Sequence, residues 1–277
     1  MAKPIVKWAG GKTRLLKHLV PHLQDRRIRV YAEPFAGGAA LFFKIATMPE
    51  VRFESAILAD KNPELVATYN AVKTNVEGVL AALKDYADDP DRKERYYKTR
   101  ADPTAHMSDV ERAARLIFLN RTGYNGLWRV NSSGKFNVPY GRYKNPRIID
   151  EDRLRAASEA LSRADVRHAD FSDVAGGLRK TDFVYFDPPY VPVSKTAAFT
   201  AYASEGFVWK DQERLARILV RLKERGVRAL LSNACTAETK LLYGGLNLEF
   251  DIVQARRAIN SDATKRGDVA ELLVRNW

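Results

Sequence analysis

Short apolar runs alternate with helical patterns over most of the chain. Residues 182–186 form a run that is too short for a helix and rich in aromatic and branched side chains, so it predicts a buried strand. Comparable runs predict further strands at residues 29–35, 56–59, 166–169, 229–233, 248–253 and 270–275. Helical spacing predicts helices at residues 13–22, 63–86, 109–120, 154–162 and 210–225. A further helix is predicted from the glycine turn, Ala36-Gly37-Gly38-Ala39-Ala40, to about residue 46. This alternation indicates an α/β fold.

The alternation stops between residues 75 and 150, which we interpret as an insertion into the α/β domain. Within it, residues 116–149 contain no Asp or Glu, although the chain has 34 acidic residues. Residues 128–131 and 135–138 flank Ser132-Ser133-Gly134 and predict a β-hairpin. A basic hairpin can enter the major groove of DNA; the alternative is a solvated basic loop.

Composition and charge limit the kinds of partner and of metal or disulfide site that the protein could have. The chain has 277 residues and a net charge of +12, which favours a polyanionic partner. Cys235 is the only cysteine, so we exclude a disulfide or Cys-rich metal site and expect a buried apolar role. His18 and His22 flank Pro21 without a third ligand, so we predict no metal site. The absence of a long apolar run and of a signal-peptide pattern predicts a cytoplasmic protein without a membrane partner.

The sequence Asp187-Pro188-Pro189-Tyr190 follows the predicted strand at 182–186. Two prolines prevent helix or ladder continuation, so we expect a rigid loop at the carboxyl end of that strand, where α/β sheets bind ligands. A carboxylate and a backbone carbonyl could accept both hydrogens of a nucleobase amine, while the Tyr190 ring stacks on the base. Asp187 would receive the proton after alkylation of that amine. A plain turn with a buried tyrosine remains the alternative.

A glycine-rich turn follows the strand at 29–35 and opens a helix, as in nucleotide-binding βαβ units. The spacing differs from G-x-G-x-x-G, so a nicotinamide or flavin cofactor is disfavoured. Asp60 lies 22 residues beyond Gly38, near the position at which an acid binds ribose hydroxyls. The alternative role of Asp60 is to cap the helix beginning near Pro63, for which Asn62 is better suited.

Four further stretches bear on where ligands or DNA could bind, and they lead to different predictions. Asp170 and Phe171 follow a predicted strand and could hold an adenine ring, by a hydrogen bond and by packing respectively. Gly11-Lys12-Thr13 lacks the spacing of a P-loop, so we do not predict a nucleoside triphosphate site there. Residues 191–207 are a candidate lid or DNA-contacting loop, and we expect residues 256–268 to be mobile.

Together these stretches resemble the Dam-type adenine-N6 DNA methyltransferases of the D12 class. The resemblance lies in segments that occur in the family's order, at residues 7–12, 33–43, 60–63, 120–146, 170–171 and 187–190. It implies a Rossmann-like S-adenosylmethionine methyltransferase sheet in residues 1–74 and 151–277. Residues 75–150 would be an inserted, mainly helical DNA-recognition subdomain with a β-hairpin.

The resemblance also implies the roles of individual residues. The catalytic residues would be Asp187, Pro188 and Tyr190, acting on an adenine flipped out of the duplex. Contacts to S-adenosylmethionine are implied for Trp8, Lys12, Phe35, Gly37, Asp60, Asp170, Phe171 and Asp187. Contacts to double-stranded DNA, with GATC as the implied target, are implied for Lys7, Asn125, Leu127, Arg129, Pro139 and Arg142.

Two positions depart from the family pattern. Ala39 stands where relatives often carry a third glycine, and Trp128 occupies a hairpin position that is smaller in some relatives. The same catalytic loop also occurs in RNA amino-methyltransferases, but side chains cannot read the deep groove of A-form RNA. A non-catalytic DNA-binding protein is a third hypothesis, disfavoured by the intact Asp187 loop and Lys12. No obligatory protein partner is predicted.

Overall fold

The computed structural model describes residues 1–191, 206–256 and 268–277. The loop expected at 191–207 and the polar segment expected at 256–268 therefore lie, apart from their terminal residues, outside the described chain. No described helix combines the length and apolar character needed to cross a bilayer.

One seven-stranded sheet has the strand order β3-β2-β1-β4-β5-β7-β6. The pairs β1–β2, β1–β4 and β4–β5 are parallel, whereas β7 is antiparallel to both β5 and β6. The strands are β1 (Arg27–Glu33), β2 (Arg52–Asp60), β3 (Ala164–His168), β4 (Phe183–Phe186), β5 (Arg228–Ala234), β6 (Glu249–Arg256) and β7 (Asp268–Arg275). The fold is therefore α/β, with its catalytic-loop candidate following a central parallel strand.

Ten α-helices occur in the described residues. They are α1 (Leu16–Leu19), α2 (Ala40–Ile45), α3 (Pro63–Thr74), α4 (Val76–Ala87), α5 (Arg92–Ala101), α6 (Asp109–Thr122), α7 (Glu151–Leu161), α8 (Phe171–Gly177), α9 (Trp209–Glu224) and α10 (Ala237–Gly244). Short 3₁₀ turns follow α1 at Val20–His22 and α6 at Tyr124–Gly126.

All seven predicted strands are present, with ends shifted by a few residues. The single helical pattern expected at 63–86 is wrong, because Asn75 leaves helical geometry and its side chain caps α4 at the N–H of Gly78. Helices α5, α8 and α10 were not predicted. Cys235 is half-buried beside the core rather than fully buried, because it follows the end of β5.

Contacts divide the described chain into two compact units. The first unit comprises Met1–Thr13, Gly37–Pro49 and Asp60–His168, and the second comprises Arg14–Ala36, Glu50–Ala59 and Ala169–Trp277. The insertion expected at 75–150 falls wholly within the first unit, whose core forms where α3 and α4 pack against α6. There Tyr86 stacks on the buried ring of Phe118.

The second unit contains β1, all of β2 except Asp60, β4, β5, β6 and β7, and a continuous hydrophobic core. Apolar side chains of α9, including Leu215 and Leu219, pack with Val184, Ala229 and Leu231 of the central strands. Since α9 places apolar residues at helical spacing, one face is buried while its charged residues face outward. This packing fixes the strands that precede the Asp187 loop.

Asn276 ties the chain end to this core, with only 2% of its surface exposed. Its side-chain oxygen accepts the N–H of Ala229 at 2.8 Å. Its amide nitrogen donates to the carbonyls of Val227 and Leu219 at 2.9 and 3.2 Å. One side chain therefore satisfies three buried backbone groups.

We expect Asn276→Ala to lower the free energy of unfolding by about 2–3 kcal/mol, because it leaves buried backbone groups unsatisfied. Urea denaturation measures the change. The matched control is Asn145→Ala, which removes an exposed asparagine and should leave the unfolding midpoint unchanged. Equal stability of both variants would contradict the role given to Asn276.

Candidate active site

The Asp187 loop begins where β4 ends, at the carboxyl edge of the parallel strands. Parallel pairing aligns Phe186 of β4 with Leu231 of β5. The next residues, Asp187 and Ser232, are therefore neighbours, and the hydroxyl of Ser232 donates to Oδ1 of Asp187 at 3.0 Å. The backbone register thus fixes one end of the catalytic-loop candidate.

Ser232 is fully buried and links Asp187 to a second hydroxyl. The side chains of Tyr185 and Ser232 share a hydrogen bond of 2.8 Å between their oxygens. Burial, and then the charge of Asp187, raises the pKa of Tyr185. Tyr185 therefore stays protonated and can keep a hydrogen bond to Ser232, which orients the serine towards the carboxylate.

Tyr190, at the other end of the loop, is held by β7. Its hydroxyl donates to Oε2 of Glu271 at 2.6 Å. Burial, followed by the charges of Asp187 and Glu271, raises the pKa of Tyr190. The phenol is therefore a neutral donor to a carboxylate, which gives a strong, charge-assisted hydrogen bond.

The two prolines differ in exposure: Pro188 is buried and Pro189 is exposed. On the neighbouring strand β1, the hydroxyl of Tyr31 donates to Oε1 of Glu33 at 2.6 Å, and both residues are buried. The carboxyl ends of β1, β4 and β5 therefore concentrate hydrogen-bonded acidic and hydroxyl groups around a stiff loop.

An aromatic cluster lies in the same unit. Phe35, which is half-buried, stacks on Phe171 with ring centroids 5.1 Å apart, and Phe207 packs edge-on against Phe35 at 5.6 Å. Phe171 is only 2% exposed, and the guanidinium of Arg214 lies 4.2 Å from its ring centroid. Phe35 is therefore the more accessible ring of this stack.

Asp170 caps α8 and binds an arginine. Its Oδ1 accepts hydrogen bonds from the backbone and side chain of Ser172, at 2.9 and 2.7 Å. A terminal nitrogen of Arg214 lies 3.0 and 2.9 Å from its two oxygens. Asp170 and Phe171, the pair expected after β3, are thus both contacted by Arg214, which the sequence pattern did not indicate.

The glycine turn and Asp60 meet within the first unit. The N–H of Gly37 donates to Oδ2 of Asp60 at 2.9 Å, and the N–H of Asn62 donates to Oδ1 at 2.9 Å. Burial raises the pKa of Asp60, and these backbone hydrogen bonds act in the opposite direction. Asn62, not Asp60, caps α3 by accepting the N–H groups of Glu64 and Leu65.

Trp8 covers this turn. A Cβ atom at Gly37, where φ is +46°, would lie 2.8 Å from Cδ1 of Trp8, so only glycine allows this approach. The Trp8 ring stacks on Trp128 with centroids 6.4 Å apart. The buried Lys12 donates from Nζ to the carbonyl of Gly10 at 2.7 Å.

The hairpin expected at 128–138 is present as a short antiparallel pairing rather than as two full strands. A bridge joins Val130 and Phe136, and the N–H of Asn131 donates to the carbonyl of Lys135. Arg129 is exposed; its Nε donates to Oδ1 of Asn137 across the hairpin at 2.7 Å. The guanidinium is thus presented on the hairpin surface by a neighbouring side chain.

Asn120, at the end of α6, brings several predicted DNA contacts together. Its side chain accepts the N–H of Lys7 and donates to the carbonyls of Lys7 and Gly126, each at 2.8 Å. The turn between Asn125, where φ is +54°, and Leu127 is thereby held against Lys7. Two other predicted contacts, Pro139 and Arg142, are exposed farther along the same segment.

Sequence reasoning missed Ser232, Glu271, Arg214 and the clamping role of Asn120. A signal existed for two of them, since Ser232 directly follows the apolar residues 229–231 and Glu271 lies between Ala270 and Leu272. Polar residues next to apolar runs in buried strands indicate specific hydrogen bonds. Which groups they bind depends on strand order, which the sequence pattern did not give.

A cavity of about 270 Å³ lies elsewhere in the second unit. It is lined by residues from the amino ends of β1, β4 and β5, including Arg27, Phe183 and Arg228. The Asp187 loop follows the carboxyl end of β4, so this cavity is not part of the candidate active site.

The chain matches the model of the D12 class N6 adenine-specific DNA methyltransferases over residues 8–259. It is 42% identical to the type II methyltransferase M.MjaIII of Methanocaldococcus jannaschii, covering 99% of each chain. It is 38% identical to the type II methyltransferase M1.LlaDCHI of Lactococcus lactis subsp. cremoris, covering 99% of this chain and 95% of that relative. Identity to the DNA adenine methylase of Escherichia coli K12 is 37%, covering 98% and 94%. On this evidence and the geometry of its Asp187 loop, the chain belongs to the D12 class of N6 adenine-specific DNA methyltransferases.

Proposed function

We propose that the protein transfers a methyl group from S-adenosylmethionine to N6 of a flipped-out adenine in duplex DNA, within GATC. The observation that carries the proposal is the Asp187 loop at the carboxyl edge of the parallel strands. Ser232 holds its carboxylate and Glu271 holds its tyrosine. Family membership supports adenine in DNA as the substrate.

Asp187 and the carbonyl of Pro188 act as the two acceptors for the adenine amine. Such an amine is a poor nucleophile, because its lone pair is delocalised into the ring. Hydrogen bonds to both N–H groups favour tetrahedral nitrogen and direct the lone pair away from the ring. As the new N–C bond forms, the bond between the methyl group and its sulfonium sulfur would break, with the electron pair left on sulfur. Asp187 would take up one amine proton and so remove the positive charge that develops on nitrogen.

S-adenosylmethionine supplies an electrophilic methyl group on a sulfonium when it is bound. The residues present fit this group. A carboxylate has roughly four acceptor positions, so Asp60 keeps capacity for one ligand hydroxyl beyond its backbone hydrogen bonds to Gly37, Lys61 and Asn62. We assign contacts in the first unit to Trp8, Lys12, Gly37 and Asp60, and in the second unit to Phe35, Asp170, Phe171 and Asp187.

Tyr190 stacks on the extruded adenine. An enzyme that acts on a base inside a duplex must extrude it, at a cost of unstacking that a pocket with an aromatic ring offsets. Asn125 lies in a turn clamped through Gly126 to Asn120, and we assign it to the gap that the extruded base leaves. The turn is rigid, so it can support the remaining stack.

The residues that contact the DNA target are Lys7, Leu127, Arg129, Pro139 and Arg142. Lys7, Arg129 and Arg142 are exposed cations, and residues 116–149 carry no acidic side chain that would repel phosphate. An arginine on a hairpin can bind O6 and N7 of guanine together, which distinguishes guanine from the other bases. GATC as the target rests on the resemblance to Dam-type enzymes.

The target is tested by digesting DNA from expressing cells with endonucleases that are blocked by, or indifferent to, adenine methylation in GATC. Protection from the sensitive enzyme alone supports GATC. Tritium transfer from labelled cofactor to duplex DNA, compared with ribosomal RNA, distinguishes the DNA enzyme from an RNA methyltransferase. Cofactor binding by calorimetry distinguishes both from a protein that only binds DNA.

Asp187→Ala removes the acceptor for the amine, and we expect methylation to be abolished. The assay is tritium transfer to duplex DNA, with cofactor binding measured in parallel. The control Asp173→Ala removes an exposed aspartate on α8 and should retain the rate. Transfer at a near wild-type rate by Asp187→Ala would refute the mechanism.

Ser232→Ala removes the hydroxyl that orients Asp187 while keeping the carboxylate itself. A hydrogen bond to a charged group is worth about 1.5–3 kcal/mol, so we expect kcat to fall at least about tenfold. Steady-state kinetics at saturating cofactor measure the change. The control is Ser162→Ala on the first unit, an exposed serine; kcat equal to that of this control would remove Ser232 from the mechanism.

Arg129→Ala should cost about 1–3 kcal/mol in discrimination between the target and a sequence with guanine replaced. Competition binding with the two duplexes measures it at fixed salt concentration. Arg217→Ala, which removes an exposed arginine of α9, is the control. An equal loss of affinity on both duplexes would show that Arg129 contacts phosphate instead.

A further inference from the structure

We propose that Glu271 is a positioning residue that fixes the ring of Tyr190 for stacking on the target base. The inference rests on the proposed function, because it assigns to β7 a role in that reaction. Its geometric basis is the 2.6 Å hydrogen bond from the Tyr190 hydroxyl to Oε2 of Glu271.

The position of Glu271 is costly for a carboxylate. It is 9% exposed, and it interrupts an apolar run in which Leu272, Leu273 and Val274 are fully buried. Burying a carboxylate opposes folding unless hydrogen bonds or opposite charges compensate its lost hydration. The hydrogen bond from Tyr190 supplies part of that compensation, and it ties Glu271 to the Asp187 loop.

Strand register places Glu271 beside the catalytic-loop candidate. Antiparallel pairing sets Glu271 of β7 opposite Ala234 of β5 and Leu273 opposite Ser232. Since alternate residues of a strand share a face, Ser232 and Glu271 project from the same side of the sheet as diagonal neighbours. Ser232 binds Asp187, and Glu271 binds Tyr190. Both ends of the loop are thus fixed from two adjacent strands.

The hydrogen bond reduces the freedom of the ring before the base arrives. A tyrosine that must be ordered during binding loses rotational entropy at that step, which weakens the interaction that uses it. Glu271 holds the phenol oxygen at the far end of the ring from the backbone. The long axis of the ring is therefore fixed at both ends, so stacking on the extruded adenine needs only rotation of the ring about that axis.

The inference is tested with four variants: Tyr190→Phe, Glu271→Ala, Glu271→Gln and the double variant Tyr190→Phe with Glu271→Ala. Methyl transfer to a GATC duplex is measured under steady-state conditions, and cofactor binding by calorimetry gives the fraction of folded protein. Tyr190→Phe keeps the ring and removes the hydroxyl, and with it the hydrogen bonds to Glu271 and Ser232. Glu271→Gln keeps an acceptor oxygen and removes only the charge.

We expect Tyr190→Phe and Glu271→Ala each to lower kcat about tenfold, the effect of ~1.4 kcal/mol, with cofactor affinity unchanged. The double variant should be no slower than Tyr190→Phe, because the bond that Glu271→Ala removes is already absent there. Glu271→Gln should recover most of the rate. Glu238→Ala, which removes an exposed glutamate of α10, is the matched control and should behave as wild type.

Three outcomes overturn the inference: additive effects in the double variant, no loss in Glu271→Ala, or a loss that follows the folded fraction alone. The last would make Glu271 a purely structural residue. Failure of the proposed function is distinguishable, because the wild-type protein itself would then transfer no methyl group to duplex DNA. If wild type methylates DNA and the variants match it, only the role of Glu271 is rejected.

Discussion

The register between β4, β5 and β7 is the constraint on which the candidate active site depends. Parallel pairing brings Asp187 level with Ser232, and the antiparallel strand β7 brings Glu271 to the same face. Ser232 and Glu271 are buried polar groups in apolar strands, so each needs a hydrogen-bonding partner. The Asp187 loop provides both partners, which couples the folding of the sheet to the geometry of the reaction.

In the first unit the corresponding constraint is the side chain of Asn120. It binds Lys7 and Gly126 through backbone groups, so the N-terminal segment and the turn after α6 form one rigid element. Arg129, in contrast, is exposed, and its side chain donates to Asn137 within the hairpin. A rigid supporting segment and an exposed arginine suit DNA recognition. To bind guanine, the guanidinium must exchange its acceptors in the protein for those of the nucleobase.

The glycine turn contains a strained alanine. Ala39 adopts a left-handed conformation with φ of +48°. A residue with a Cβ atom is strained in this conformation, which glycine adopts at little cost. An alanine could not replace Gly37, because a Cβ atom there would collide with Trp8.

Local pattern alone determined the seven strands, the helix α9 and the loop that two prolines impose after β4, because hydrophobic periodicity and proline geometry act over a few residues. The order of the short motifs along the sequence also identified the family. Local pattern did not give the break at Asn75, where a side-chain cap competes with continuous helix, or the short helices α5, α8 and α10. Ser232, Glu271 and Arg214, which bind Asp187, Tyr190 and Asp170 respectively, lie 44 or more residues away along the chain. Only the strand order and packing of the folded chain decided those contacts, because hydrogen bonds between distant residues depend on which strands lie side by side.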